Sequence, residues 1–485
     1  MLRIVVFLLA AAAAVNAQTL GEAIERVLQA SPGLRGVIGI HVVDLSTGAT
    51  LYERNSRTPL TPASNMKLLT TALALSRLGP DYRFETRVLA PALPSPAGVV
   101  ASLRIVGGGD PSLSGRAYPY EKNPKNGNPL AGLEDLADQV ARMGVKRVGM
   151  VIGDDRLYPF DPSPEGWTAG DGTWEYGAPV SALTVHDNAL LMTVRPVKTS
   201  PLAEVSFLPP TDYFTVSNGL RVGQGLARKV EVARTAGSRV VRISGTSPPN
   251  GGASSVLIAI DDPALYAAET FKRLLQDRGV VVRGASRSDH RMPGESFAPP
   301  DGAVLARRLS PPLSQILEVV NKVSQNLHAE LVLLETARVK RGEASRELAM
   351  EEMAAFLSSF GTQPGDMDLF DGSGLSRRAL VTPETVTRLL VEMHRTHGEA
   401  FRRLLPVAGE DGTLAARFRG AQDAAGIRAK TGTISHVTAL SGYAGDDPAR
   451  RVAFSIISNH QTSPASEVRT AVDTIALEIL RKAIQ

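Results

Sequence analysis

Hydrophobic and polar positions along the chain change character three times. Val37 to Arg54 reads as a hairpin, two apolar-rich arms joined at the turn residues Ser46-Thr47-Gly48. Thr61 is placed to cap a helix with Pro62 at its first position, and the run that follows through Leu78 is apolar on nearly every side before Gly79-Pro80 ends it. A helix apolar all round is a buried one. From about Tyr82 to Ser296 the pattern turns to short β-rich runs broken by Gly/Pro clusters such as SPPNGG, with one helix, roughly Pro263 to Arg278, between them. Helical spacing returns at about Ser310, and Thr382-Pro383 opens a further helix with the same cap-plus-proline device. Three strand-like runs, IRAKTGTI, TALSGYAG and RVAFSIISN, then lead into an amphipathic C-terminal helix, Ser466 to Ile484. The pattern predicts an α/β (α+β) chain in which residues 18–81 and 297–485 form one domain. Residues 82–296 are a β-rich insertion of two subdomains.

Composition narrows the function. The 485 residues are 43% apolar and 21% charged, a globular balance, and 53 basic against 49 acidic residues leave a net charge of only +4. That is too little for a strongly basic nucleic-acid binder. There is no cysteine, which excludes disulfide scaffolds, thiolate metal sites and cysteine nucleophiles. Met1 to Ala17 carry Arg3, an apolar run from Ile4 to Val15 and the small-x-small ending Val15-Asn16-Ala17. This reads as a secretory signal peptide cleaved after Ala17, too short for the roughly 20 apolar residues of a membrane span. The expectation is an exported periplasmic protein with no integral span after cleavage.

Three short motifs carry candidate chemistry. Ser64-Asn65-Met66-Lys67 opens the apolar helix, and positions i and i+3 share a face, so hydroxyl and amine can meet. Burial and the positive helix N-terminus both disfavour an ammonium, bringing the lysine toward a state that accepts a proton from serine. A hydroxyl becomes a nucleophile in this way without histidine. Ser-x-x-Lys arises about once by chance in such a chain, and it is the apolar surround, a poor place for an idle lysine, that marks this copy. Ser324-Gln325-Asn326 sits among Val319, Val320, Val323 and Leu327. A hydroxyl and an amide two residues apart share no helical face and converge only at a loop or helix end; in isolation the segment reads as a solvated polar turn. Lys430-Thr431-Gly432-Thr433 lies in a strand-like run, where cation and hydroxyls alternate in direction and glycine admits another chain close to the backbone.

Taken together, in this order, SNMK, SQN and KTG resemble the active-site triplet of the penicillin-recognising serine enzymes. The 260 residues from Ser64 to Ser324 are similar to the long insertion of the D-Ala-D-Ala carboxypeptidase/endopeptidase family of low-molecular-mass penicillin-binding proteins. GGGDPSL at Gly107 to Leu113, YGAPVSAL at Tyr176 to Leu183 and DGSGLSR at Asp371 to Arg377 resemble the same family. The resemblance implies a β-lactamase/transpeptidase-like domain of helices around an antiparallel sheet. It also implies a serine DD-peptidase that cleaves D-Ala-D-Ala or D-Ala-diaminopimelate bonds of peptidoglycan stem peptides and is acylated by β-lactams. By the same resemblance Ser64 is the acylated nucleophile, Lys67 its base, Ser324 a proton relay to the leaving amine, Asn326 a holder of the substrate amide, and Lys430 a source of positive potential. Thr431 and Thr433, flanking Gly432, would take the carboxylate of D-alanine, and the N–H groups of Ser64 and Thr433 would form the oxyanion hole. Trp167 and Asp171 best match the family's acidic site for the amino-bearing side chain of the substrate, though Asp171 reads equally as a loop residue between Gly170 and Gly172. The glycines of GGGDPSL read as a structural turn.

Other chemistry finds little support. His394 and His397 are three apart on a helix, with no third ligand nearby and no His-Glu-x-x-His, so they read as solvated helix residues. No phosphate-binding glycine loop is present, and neither a metal nor a cofactor is expected. A β-lactamase or esterase on the same scaffold, or a non-catalytic peptidoglycan-binding protein, are the competing readings; an intact motif set argues against the last. A homodimer stays open, because an exposed and a core-facing apolar stripe on the final helix look alike.

Overall fold

The computed structural model describes residues 20–124, 127–235 and 237–483. The leader expected at residues 1–17 lies outside them. A five-stranded antiparallel sheet forms the centre, built from both ends of the chain: β1 (Val37–Asp44) and β2 (Thr50–Arg54) from the start, β3 (Ile427–Ile434), β4 (Val437–Ala444) and β5 (Val452–Asn459) from the end. The spatial order is β3-β4-β5-β1-β2, with Ile40 opposite Ile456 and Lys430 opposite Ser441. Every residue of β4 and β5 is buried, because both faces of the sheet are covered. Successive side chains go to opposite faces. Phe454 and Ile456 face the helix at residues 20–30 (α1) and the C-terminal helix, while Ala453 and Ile457 face a second helical layer.

That second layer holds α2 (Met66–Leu78), α3 (Leu313–Lys322), α4 (Asn326–Arg341), α5 (Arg346–Ser358) and α6 (Pro383–His397). Thr382 caps α6 by accepting from the N–H of Thr385, with Pro383 in the first turn. The start of α2 differs from expectation. Thr61 caps nothing; its N–H donates to Asn459 Oδ1 at 2.8 Å and its carbonyl accepts from Asn459 Nδ2 at 3.1 Å. The chain then makes a 3-10 turn over Ala63–Asn65, and the α-helix begins at Met66. His394 and His397 both lie on α6, where His397 Nε2 is 3.2 Å from Ser76 Oγ.

Between α2 and α3 the chain builds three further sheets around one apolar cluster. Two features depart from the sequence pattern. A helix at Ala131–Arg142 joins the one at Pro263–Asp277, burying Leu133, Leu136, Ala137 and Val140 on one face. The strand Ala303–Leu309 pairs with Glu85–Ala90, so the chain returns to the central layers at Ser310 rather than at 297. The glycine turn at 107–109 is structural: a Cβ at Gly108 would lie 1.9 Å from the carbonyl oxygen of Glu85. Tyr158, Val180 and Ala182 of this region pack onto Leu327, Leu331 and Leu334 of α4, so β-rich segment and catalytic-side helix share a small core of their own.

Candidate active site

Ser64 sits in the 3-10 turn ahead of α2, half-buried, after Ala63 with a left-handed φ of 47°. Asn65 anchors the turn to the sheet by donating to Ser441 Oγ at 2.7 Å. Lys67, in the first turn of α2, is fully buried. Its Nζ lies 3.0 Å from Ser64 Oγ, 2.6 Å from Asn326 Oδ1 and 2.7 Å from the carbonyl oxygen of Ser373. Burial brings the Lys67 amine down to about 7, against the pull of Asp371, Glu330 and Glu175. In the neutral form two N–H bonds satisfy Asn326 and Ser373, and the lone pair is left facing the serine hydroxyl.

Ser324 and Asn326 meet the site because the chain breaks between two helices. Ser324 adopts a left-handed φ of 62°, Gln325 caps α4 through the N–H of His328, and Asn326 is the first residue of that helix. Asn326 therefore reaches Lys67 with its oxygen and donates from Nδ2 to the carbonyl of Tyr176 at 2.7 Å. Lys430, buried on β3, donates to Ser324 Oγ at 2.8 Å. Burial, with Lys67 nearby, holds the Lys430 amine well below the usual lysine range.

β3 is the edge of the sheet, and its outward N–H groups are free of the ladder. Ala429 donates outward to Pro406, and the two-residue alternation turns the N–H groups of Thr431 and Thr433 the same way. Gly432 lets β3 lie against the Ser64 turn: a Cβ there would stand 2.6 Å from the carbonyl of Pro62. Ser64, Ser324, Thr431 and Thr433 line one cleft of about 490 Å³, with Thr413, Arg417 and Arg469 along its rim.

Two expected residues are held in pairings of their own. Asp171 is buried and its Oδ2 accepts from the N–H of Thr168 at 2.8 Å and from Arg377 Nη1 at 3.1 Å. That carboxylate is already paired, with the Arg377 guanidinium and the Thr168 N–H. Trp167 donates from Nε1 to Asp371 Oδ2 at 3.0 Å, bracing the loop behind Lys67. Asp371 and Ser373 stand in the DGSGLSR stretch without a role legible in sequence, and Glu330 carries no motif at all. A carbonyl contact such as that of Ser373 leaves no trace in residue type; the buried acid Glu330, four residues after Asn326 on the apolar α4, was the available signal.

The family model for D-Ala-D-Ala carboxypeptidase 3 (S13) matches residues 20–479. The chain belongs to this family. It is a serine-type D-Ala-D-Ala carboxypeptidase by that membership, and it is 35% identical over 472 residues to a D-alanyl-D-alanine carboxypeptidase from an Actinomadura species, covering 94% of this chain and 84% of that one. It is 23% identical over 443 residues to the D-alanyl-D-alanine carboxypeptidase DacB of Haemophilus influenzae, covering 89% and 87%. The crystal structure of penicillin binding protein 4 from Haemophilus influenzae shares the fold, with a TM-score of 0.79 at 21% identity over 95% of this chain and 99% of that one. The same protein in complex with a β-lactam gives a TM-score of 0.74 at 20% identity, with the same coverage. The carboxypeptidase thus has the transpeptidase-like architecture of helices about an antiparallel sheet. Among its described residues no helix is long and apolar enough to cross a membrane.

Proposed function

We propose that this carboxypeptidase works on peptidoglycan stem peptides through an acyl-enzyme on Ser64. Lys67 Nζ takes the hydroxyl proton as Ser64 Oγ attacks the carbonyl carbon of the penultimate D-alanine. The oxyanion is held by the N–H groups of Ser64 and Thr433, a type of contact worth about 3 kcal/mol per donor. The C–N bond breaks as Ser324, held by Lys430, passes its proton to the leaving amine and takes in return the one that Lys67 had received, and the carboxylate of that amine rests on Thr431 and Thr433. Water then attacks the ester, frees the shortened peptide and restores the Ser64 hydroxyl. A diaminopimelate residue in place of the terminal D-alanine presents the same carboxylate next to the scissile nitrogen, so cross-link cleavage uses the same contacts. A β-lactam acylates Ser64 by opening its ring amide. The leader at Met1 to Ala17 exports the protein to the periplasm, where this substrate lies.

One observation carries the reading: Lys67 Nζ is 3.0 Å from Ser64 Oγ, and acceptors from two other segments occupy its remaining bonds. The test is intact-mass measurement after incubation with penicillin, alongside release of free D-alanine from a pentapeptide stem. A single adduct absent from Ser64→Ala is expected. An adduct that survives Ser64→Ala would overturn the mechanism, and one that clears within seconds would favour a β-lactamase.

A further inference from the structure

Behind Lys67 runs an ionic path, from the buried Glu330 out to the half-exposed Asp161, that none of the steps above uses. Glu330 lies on α4 and is fully buried. Its Oε1 accepts from the N–H groups of Gly372 at 2.9 Å and Ser373 at 2.8 Å. Its Oε2 accepts from Arg346 Nη1 at 3.0 Å. Arg346, at the start of α5, donates onward to Asp161 in the β-rich segment, from Nε to Oδ2 at 2.6 Å and from Nη2 to the carbonyl at 2.9 Å. Since the Ser373 carbonyl is 2.7 Å from Lys67 Nζ, the path is unbroken from Asp161 to the amine beside Ser64.

We propose that Glu330 is a positioning residue for Lys67: it pins the backbone that turns the Ser373 carbonyl toward Nζ, and its carboxyl, paired with Arg346, sets negative charge behind that amine. The inference rests on the reading of Lys67 as the base for Ser64. The charged groups that face Lys67 are Glu330, Asp371 and Glu175 on the negative side and Lys430 on the positive. Those that face Glu330 are Asp371, Arg346 and Lys67 itself. Burial first, and then Asp371, push the Glu330 carboxyl up to about 7, while Arg346 opposes both. Without Arg346 the carboxyl moves further up, and Lys67 loses more of this counter-charge.

The sign of this coupling separates it from a merely structural role. Removing a negative charge near Lys67 favours the free amine, so acylation persists to lower pH. Removing the Arg346 cation by itself favours the ammonium and moves the acid limb up; acting through Glu330, it moves the limb down. The experiment is the rate of Ser64 acylation by penicillin between pH 5 and 9, followed by intact mass. It compares wild type with Glu330→Gln, Glu330→Asp, Arg346→Gln and the Gln/Gln double variant. Glu330→Gln should lower the plateau rate about tenfold and shift the acid limb down by about one pH unit. Arg346→Gln should shift the limb in the same direction, the double variant no further than Glu330→Gln alone, and Glu330→Asp should lose rate with its limb in place. A limb that stays put in Glu330→Gln, or moves up in Arg346→Gln, would overturn the proposal. If Glu330→Gln does not fold, the direction of the Arg346→Gln shift decides alone. Failure of the parent reading looks different, since wild type would then acylate at one rate from pH 5 to 9 and Lys67→Arg would still form the adduct.

Discussion

Asn326 Oδ1 stands 2.6 Å from Lys67 Nζ, nearer than Ser64 Oγ at 3.0 Å. The amide oxygen therefore fixes where the amine points without adding charge. Asn326→Asp puts a carboxylate in the same place, favours the ammonium, and should move the acid limb of acylation to higher pH, opposite to Glu330→Gln. At pH 7, where half of the wild-type amine is neutral, a limb moved up by about one unit leaves about a tenth of it neutral, so the acylation rate should fall by about fivefold. Asn326→Ala, which removes the anchor and adds no charge, should lose rate at every pH with its limb unmoved. Penicillin acylation rates across pH separate the two variants, and identical profiles would show that Asn326 does not act through Lys67.

Lys67 itself predicts the shape of the wild-type profile. Its amine is brought down to about 7 by burial, and only the neutral form accepts the Ser64 proton. Acylation should therefore rise as pH rises through about 7 and level off above it. Lys67→Arg, always protonated, should give no adduct on the same timescale. A flat profile from pH 5 to 9 would mean that some other group takes the proton.

How much of this was legible in the sequence depends on how local each cause is. Ser64 with Lys67, and the Lys430-Thr431-Gly432-Thr433 strand, are readable because one turn or one strand presents them. Ser324 and Asn326 needed a left-handed residue between two helices, and the polar composition of SQN announces a break without its φ. Asp171 looked free because Gly170 and Gly172 flank it, yet its charge belongs to Arg377, 206 residues away in sequence. Glu330 was hidden for the same reason: its partners Arg346, Gly372 and Ser373 come from a second helix and a distant loop. The helix at Ala131–Arg142 had helical apolar spacing, Leu133, Leu136, Ala137 and Val140, but stood in a segment otherwise made of short strands. The strand Ala303–Leu309 extends the inserted sheet past 297 because its pairing partner, Glu85–Ala90, lies at the far end of the insertion.

Burying Lys67 also costs stability, with a defined pH window. The unfolded lysine titrates at 10.5 and the folded one at about 7, so between these values the unfolded state binds the extra proton. Wild-type stability should rise with pH across that window, by about 5 kcal/mol if Lys67 acts alone. Below about 7 the full penalty is present. Lys67→Met lacks this slope, so its stability relative to wild type should improve as pH falls from 10 to 7. Thermal or denaturant unfolding of both proteins at the two pH values measures the difference, and parallel pH slopes would contradict it.

The Ser64 turn is pressed from two sides by backbone that tolerates no side chain. A Cβ at Gly432 would lie 2.6 Å from the carbonyl oxygen of Pro62 and 3.2 Å from Ala63 Cβ. At Gly374, in the loop behind Lys67, it would lie 1.8 Å from the carbonyl oxygen of Ala63 and 2.9 Å from Met66 Cβ, with φ at 77° besides. Alanine at either position must push the turn away from its partners, and a shift of about 1 Å in a reacting group lowers the rate about a hundredfold. Gly374→Ala should be the worse of the two, because it adds left-handed strain, about 1 kcal/mol or more, to the clash with backbone. Both variants should acylate slowly, and Gly374→Ala should also melt at lower temperature than Gly432→Ala. Gly365, where a Cβ meets nothing within 4 Å, supplies the control, and Gly365→Ala should acylate at the wild-type rate. Equal rates for all three variants would show that the Ser64 turn is not held by these two close contacts.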